Sequence, residues 1–210
     1  MAQDTEHVLS QRWKRLWGGH PRASDTYLSL TKCYIDNDLP YHNLELLAEH
    51  LGILDAAALL ARDVRSLELA LWYHRCVCDA SRSDNEAASA AFAAQELTKL
   101  GMSGYERARV MRLILAVRFG VSPQSEDEAL MIDIVRSVLG SAPEKYGSYA
   151  AKIRSEFPFL SDDEYVLARL DALDKIVRGG IFCTPHFRAQ YGAQALRNIA
   201  SEKTLLLSYR

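Results

Sequence analysis

Apolar side chains recur at three- and four-residue spacing along almost the whole chain, while alternating runs bounded by turn residues are scarce. A period near 3.6 puts such residues on one face of a helix, whereas a half-buried strand needs a period of two. The pattern leaves one broad outcome, an all-α fold in which each helix buries one stripe against its neighbours. Start signals divide the stripes. Ser83-Asp84-Asn85-Glu86 and Ser161-Asp162-Asp163-Glu164 each place a Glu three residues after a Ser, the spacing at which the two residues cap each other's exposed backbone N–H groups. Thr184-Pro185 offers a cap followed by proline at the first helical position, where the missing N–H costs nothing. Stops are expected at Gly52, Gly101, Gly120, Gly140 and Gly179-Gly180, because glycine readily takes the left-handed conformation that ends helices. These signals predict segments near 8–17, 24–36, 41–54, 63–79, 84–100, 104–119, 126–139, 143–157, 162–178 and 185–202, some merging to leave about eight helices.

With 210 residues, 49% of them hydrophobic, and no internal repeat or Pro/Gly/Ser-rich linker, the chain is expected to form a single domain around one core. Twenty-five basic against 27 acidic side chains leave a formal charge of -2, which gives no steering toward nucleic acid or an anionic membrane. Residues 1–7 are polar and acidic with no apolar stretch behind them, and no run nears the roughly 18 apolar residues of a membrane span. A cytoplasmic protein is expected. Cys33, Cys76, Cys78 and Cys183 are too scattered for a disulfide framework and are expected to be reduced thiols packed as small hydrophobes. Cys76-x-Cys78, preceded by His74, lacks the second pair that zinc spacing requires.

Three polar residues stand among apolar neighbours. His74, in Leu69-Ala70-Leu71-Trp72-Tyr73-His74-Arg75, lies inside an apolar helical stretch and reads either as a hydrogen-bonded core histidine or as a ligand. His42, in Pro40-Tyr41-His42-Asn43, sits at a helix start, where a capping or surface role is the alternative to ligation. Asp133, in Leu130-Met131-Ile132-Asp133-Ile134-Val135, must be paired, coordinated or protonated if it is buried. Trp13 and Trp17, four apart, give the first helix a packing face, with an oligomer interface as the other use. Gly179-Gly180 has neither the strand-turn-helix context nor the Lys-Ser/Thr of a phosphate loop, and there is no Gly-x-Ser-x-Gly elbow or dinucleotide fingerprint.

Taken in order, Tyr41-His42-Asn43-Leu44-Glu45, Leu71-Trp72-Tyr73-His74, Asp79 with Ser83-Asp84-Asn85-Glu86, and Met131-Ile132-Asp133 with Leu139-Gly140 form a longer pattern. Tyr149 through Phe157, Ile181 through Phe187, and Arg197-Asn198 with Glu202 extend it. On these stretches, over about residues 10–202, the chain resembles the HD superfamily of helical metal-dependent phosphohydrolases. It is most similar to a bacterial subfamily of about this length, described as predicted metal-dependent HD phosphohydrolases. The resemblance implies an HD-type helical bundle in which a first His, an adjacent His-Asp pair and a distant Asp converge on a divalent cation that polarises phosphate and activates water. Position by position it implies His42 and His74 as imidazole ligands, Asp133 as the distant carboxylate, and iron, manganese, nickel or zinc as the ion. It also implies supporting roles in the pocket for Glu86, Tyr149 and Arg154.

The departures from that pattern weigh as much as the matches. Arg75 stands where the paired Asp should follow His74, putting an obligate cation in place of a metal-binding anion. Leu46, Val135 and the stretch Val117-Arg118-Phe119-Gly120 replace residues that the family commonly uses for further ligation. A dinuclear centre is not expected. A guanidinium within several ångströms would repel a dication by about a few kcal/mol at an effective dielectric near 20, so the expected cofactor is none or a single, weakly held divalent transition metal. Alternatively Arg75 takes the ion's place, pairs with Asp133 and leaves donors for a phosphate or carboxylate. Arg118 and Arg154 then either add charge to the pocket or stand as solvated, ion-paired surface residues.

Three functions follow. The first is a metal-poor pocket binding a small anionic molecule through Arg75, as a sensor or as an enzyme of altered chemistry using His74, Glu86, Tyr149 or Arg154. The second is a mononuclear phosphohydrolase acting on a nucleotide or other phosphate ester. The third is an interaction protein with a vestigial pocket.

Overall fold

The computed structural model describes residues 2–118 and 120–208, with side chains from residue 4 onward. Met1 and Phe119 lie outside them. Among the described residues there are ten α-helices, two short 3-10 helices and no strand, so the chain is all-α. No helix of the described residues is long and apolar enough to cross a membrane. The helices fall into two compact units, residues 1–117 and 118–210.

The first unit comprises α1 (Ala2–Trp17), α2 (Ala23–Asn37), α3 (Leu44–Ala56), α4 (Val64–Tyr73), α5 (Asn85–Lys99) and α6 (Gly104–Ala116). Helix α4 is its centre: every residue from Ser66 to Tyr73 is buried, and α3, α5 and α6 pack against it. Such all-round burial is tolerated because its interior face and its flanks are apolar and its one acid, Glu68, is neutralised by Arg12 at 2.5 Å. Arg12 also forks onto Asp55 at 2.7 and 2.8 Å, tying α1 to α3 and α4. Trp13 is 1% exposed, donates its indole N–H to the Ala23 carbonyl, and meets Trp17 at 5.8 Å and Trp72 edge-on at 5.1 Å. The Trp13/Trp17 face is therefore a packing face of this unit.

The second unit comprises α7 (Glu126–Arg136), α8 (Pro143–Ser155), α9 (Asp162–Arg178) and α10 (Pro185–Ser208), with a 3-10 turn over Ser137–Gly140. Helix α10 packs on that turn, on α9 and on α8. Gly140 makes the approach possible, since any side chain there would collide with the backbone and Cβ of Tyr191. The Ser161/Glu164 capping box forms as expected, and Gly180 after α9 has a φ of 84° that suits glycine alone.

Several boundaries differ from expectation. Helix α1 begins at Ala2 rather than near residue 8. Gly52 stops nothing; it lies mid-way through α3, whose buried Leu51 and Leu54 carry the helix past it. Helix α4 ends at Tyr73 instead of running to 79, and the Ser83/Glu86 box does not form, because Asp84 is the cap residue and makes no side-chain cap bond. A box that was not anticipated closes at Ser103/Glu106. The ten segments remain separate helices rather than merging into eight.

Candidate functional site

Helix α4 delivers His74 and Arg75 at its C-terminal end. The connection that follows is held by side chains rather than by helical bonding: the Ser89 hydroxyl donates to the Val77 carbonyl and accepts from the Val77 N–H, and Asn85 pairs with both backbone groups of Asp79. This is why α4 stops at Tyr73. The same arrangement brings Glu86, in the first turn of α5, toward Arg75.

His74 is 2% exposed, and its Nδ1 lies 2.8 Å from the Leu71 carbonyl. A carbonyl only accepts, so Nδ1 carries the proton. Burial first, then the neighbouring His50 and Arg75, hold the imidazole well below its ordinary pKa, so the ring is neutral and Nε2 is a bare lone pair. That atom is buried and has no hydrogen-bond partner among the described residues. The ring of His50, on the buried face of α3, lies 5.4 Å away. His42 immediately precedes Asn43, the residue that caps α3, and is the last of the neighbours that hold the His74 pKa down.

Arg75 keeps 22% of its side chain exposed, and its ion-pair partner is Glu86 at 3.6 Å, itself 17% exposed. That separation is beyond a good hydrogen bond. The guanidinium donates no hydrogen bond to any described residue. Burial pushes the nearby Cys76 thiol up to about 12, far from the reactive thiolate form.

In the second unit Asp133 is fully buried, and both of its carboxylate oxygens are occupied. Oδ1 accepts from Cys183 N at 2.6 Å, and Oδ2 from Thr184 N at 2.7 Å and the Thr184 hydroxyl at 2.6 Å. Burial raises its pKa and these bonds pull it back. One turn further along α7, Arg136 donates to the Gly180 and Ile181 carbonyls at 3.1 and 3.3 Å. Asp133 and Arg136 thus clamp the turn that starts α10. Both groups of the expected Arg75–Asp133 pair find partners within their own units.

Arg154 is also engaged. It donates to the Phe157 and Leu160 carbonyls and to Asp162, and lies 4.8 Å over the Tyr165 ring, so it closes the connection between α8 and α9. Tyr149 accepts from Arg169 at 3.3 Å, and Arg169 forks onto Glu202 at 2.8 and 3.1 Å while the Tyr146 hydroxyl donates to Glu202. Arg169 and His50 were not singled out by the sequence, although each left a signal. Arg169 falls on the apolar stripe Val166, Leu173, Ile176, and His50 on the stripe Leu47, Leu51, Leu54, where a polar side chain must find a buried partner.

For a metal the donor set does not fit. Among the described residues no three His, Cys, Asp or Glu side chains are gathered as an ion would need, and the side chain beside His74 is a cation. What the first unit does offer is a neutral imidazole acceptor next to a guanidinium with unused donors. Compared with protein-family models, with curated proteins and with solved structures, the chain finds no match.

Proposed function

We propose that the turn carrying His74 and Arg75 is the binding point of a divergent HD-type protein that holds a small phosphate- or carboxylate-bearing molecule without depending on a metal. The reading rests on Arg75. A guanidinium presents five N–H donors in a fixed fork, and this one, mostly removed from water, has among the described residues only Glu86 at 3.6 Å. An oxyanion bound bidentately would supply what it lacks. Glu86 holds the guanidinium in place until a ligand arrives, and His74, kept neutral by burial, adds an acceptor rather than a second positive charge. Together they suit a ligand that carries an anionic oxygen and an O–H on one group, such as a hydrogen phosphate.

The test is calorimetric titration of the full chain with inorganic phosphate and with citrate, in the presence of a chelator. Binding that survives the chelator and disappears in Arg75→Gln supports the reading. Near-stoichiometric metal in protein purified without chelator or affinity tag, with phosphate binding only when metal is present, would replace it with the mononuclear phosphohydrolase. Binding of neither anion under either condition leaves the interaction protein.

A further inference from the structure

The second unit contains a cavity of about 870 Å³ walled by α8, α9 and α10, within the roughly 300–1,000 Å³ range of small-molecule sites. Its space comes from sequence. Helix α8 turns Gly147, Ala150 and Ala151 toward it, at the three- and four-residue spacing of one helix face, and Val166 and Leu206 extend the apolar wall.

The polar groups around this cavity divide into those already used and those left over. Glu202 is neutralised by Arg169 and receives the Tyr146 hydroxyl; Arg154 is held by Asp162 and two carbonyls; Asn198 donates to the Leu139 and Ser141 carbonyls and accepts from Gln194. Two groups remain. Arg197 touches only the Gln194 amide oxygen, through Nε and Nη2, and is the one lining charge with no ion-pair partner among the described residues. Tyr165 is 6% exposed, and its hydroxyl, shut away from water, has no hydrogen-bond partner among the described residues. Both can donate: the buried Tyr165 hydroxyl costs free energy until an acceptor arrives, while Arg197 is exposed and offers an uncompensated positive charge on the cavity wall. An oxygen-bearing ligand with an apolar body brings such an acceptor and matches the apolar wall.

We infer that this cavity binds a small amphipathic carboxylate, whose apolar body lies on the α8 wall and whose oxygens answer the donors left at Arg197 and Tyr165. The inference is independent of the reading given to Arg75.

The experiment is calorimetric titration of the full chain with dodecanoate below its micelle-forming concentration, with dodecanol as the uncharged control. Saturable one-to-one binding of dodecanoate, about tenfold tighter than dodecanol, is expected from one charge-assisted contact. Ala151 is exposed on α8, so Ala151→Trp fills the cavity without touching the core; it should abolish binding while leaving the helical circular dichroism and melting temperature unchanged. Arg197→Gln should weaken dodecanoate about tenfold and leave dodecanol alone. Tyr165→Phe should weaken binding yet raise the melting temperature of the free protein, a split that loss of packing would not produce. Arg75→Gln should leave dodecanoate affinity as it is. Equal affinity for dodecanol, or dodecanoate binding undiminished in Ala151→Trp, overturns the inference. So does an absence of dodecanoate binding together with self-association that Ala151→Trp removes, which would assign the groove to a second copy of the chain.

Discussion

Arg169 and Arg75 are both drawn out of bulk water, one in each unit, and they end very differently. Arg169, with 9% of its side chain exposed, forks onto Glu202, reaches the Tyr149 hydroxyl and stacks 5.3 Å over the Tyr149 ring. Arg75, with 22% exposed, meets one carboxylate at 3.6 Å and donates no hydrogen bond to any described residue. A buried charge kept for architecture is satisfied from every side, since any leftover donor weakens the fold. A charge kept for an incoming molecule has to be left short. The same contrast separates Asp133, whose oxygens are taken up by the start of α10, from His74, whose Nε2 has no partner among the described residues.

The largest expected effect lies on the finished side. Arg169→Met strands Glu202 with only the Tyr146 hydroxyl and should destabilise the second unit by about 3–5 kcal/mol, measured as urea unfolding followed by tyrosine fluorescence. An effect below about 1 kcal/mol would put Arg169 with Arg75 and end the comparison. Next, Asp133→Ala leaves three donors at the start of α10 without their acceptor and should cost about 3 kcal/mol, read by the same unfolding curves. This loss is structural, so a drop in metal content in that variant would not by itself identify a ligand.

His74 gives an effect that depends on pH. Its pKa is depressed in the folded protein, so below about pH 6.5 the unfolded chain binds a proton that the folded chain refuses. The stability it confers is complete above that pH and falls as the solution is acidified, by up to about 1.4 kcal/mol per pH unit. His74→Gln should flatten that limb of a stability-versus-pH curve; an unchanged slope would mean that the ring is not held neutral. The smallest effect belongs to Arg75→Gln, expected within about 0.5 kcal/mol of the parent in thermal unfolding. A large loss there would make Arg75 an architectural residue after all.

How much of this was written in the sequence depends on the range of the interaction. Features fixed within one turn were legible: the Ser161/Glu164 box, the Gly179-Gly180 stop and the Trp13/Trp17 face all follow from residues three or four apart. The apolar neighbours of His74 and Asp133 correctly announced burial. What they would bond to was not legible, because Cys183 and Thr184 come to Asp133 from 50 and 51 residues away, and Glu202 comes to Arg169 from 33. The misplaced end of α4 has the same origin, since the bonds that hold the following segment come from Ser89 and Asn85 on α5. Ser83 lost its expected box because α5 begins one residue later, with Asp84 at the cap position and its carboxylate taken by Arg82, leaving Glu86 beside Arg75.

The clamp at the start of α10 has a consequence for exchange with solvent. Amide protons at the first turn of a helix normally trade with water fastest, having no carbonyl within the helix to hold them. Those of Cys183 and Thr184, part-buried, are instead bonded to a fully buried carboxylate on α7, so they exchange when α7 and the start of α10 part. In deuterium they should count among the slow amides of the second unit, timing its cooperative opening rather than the fraying of a helix end.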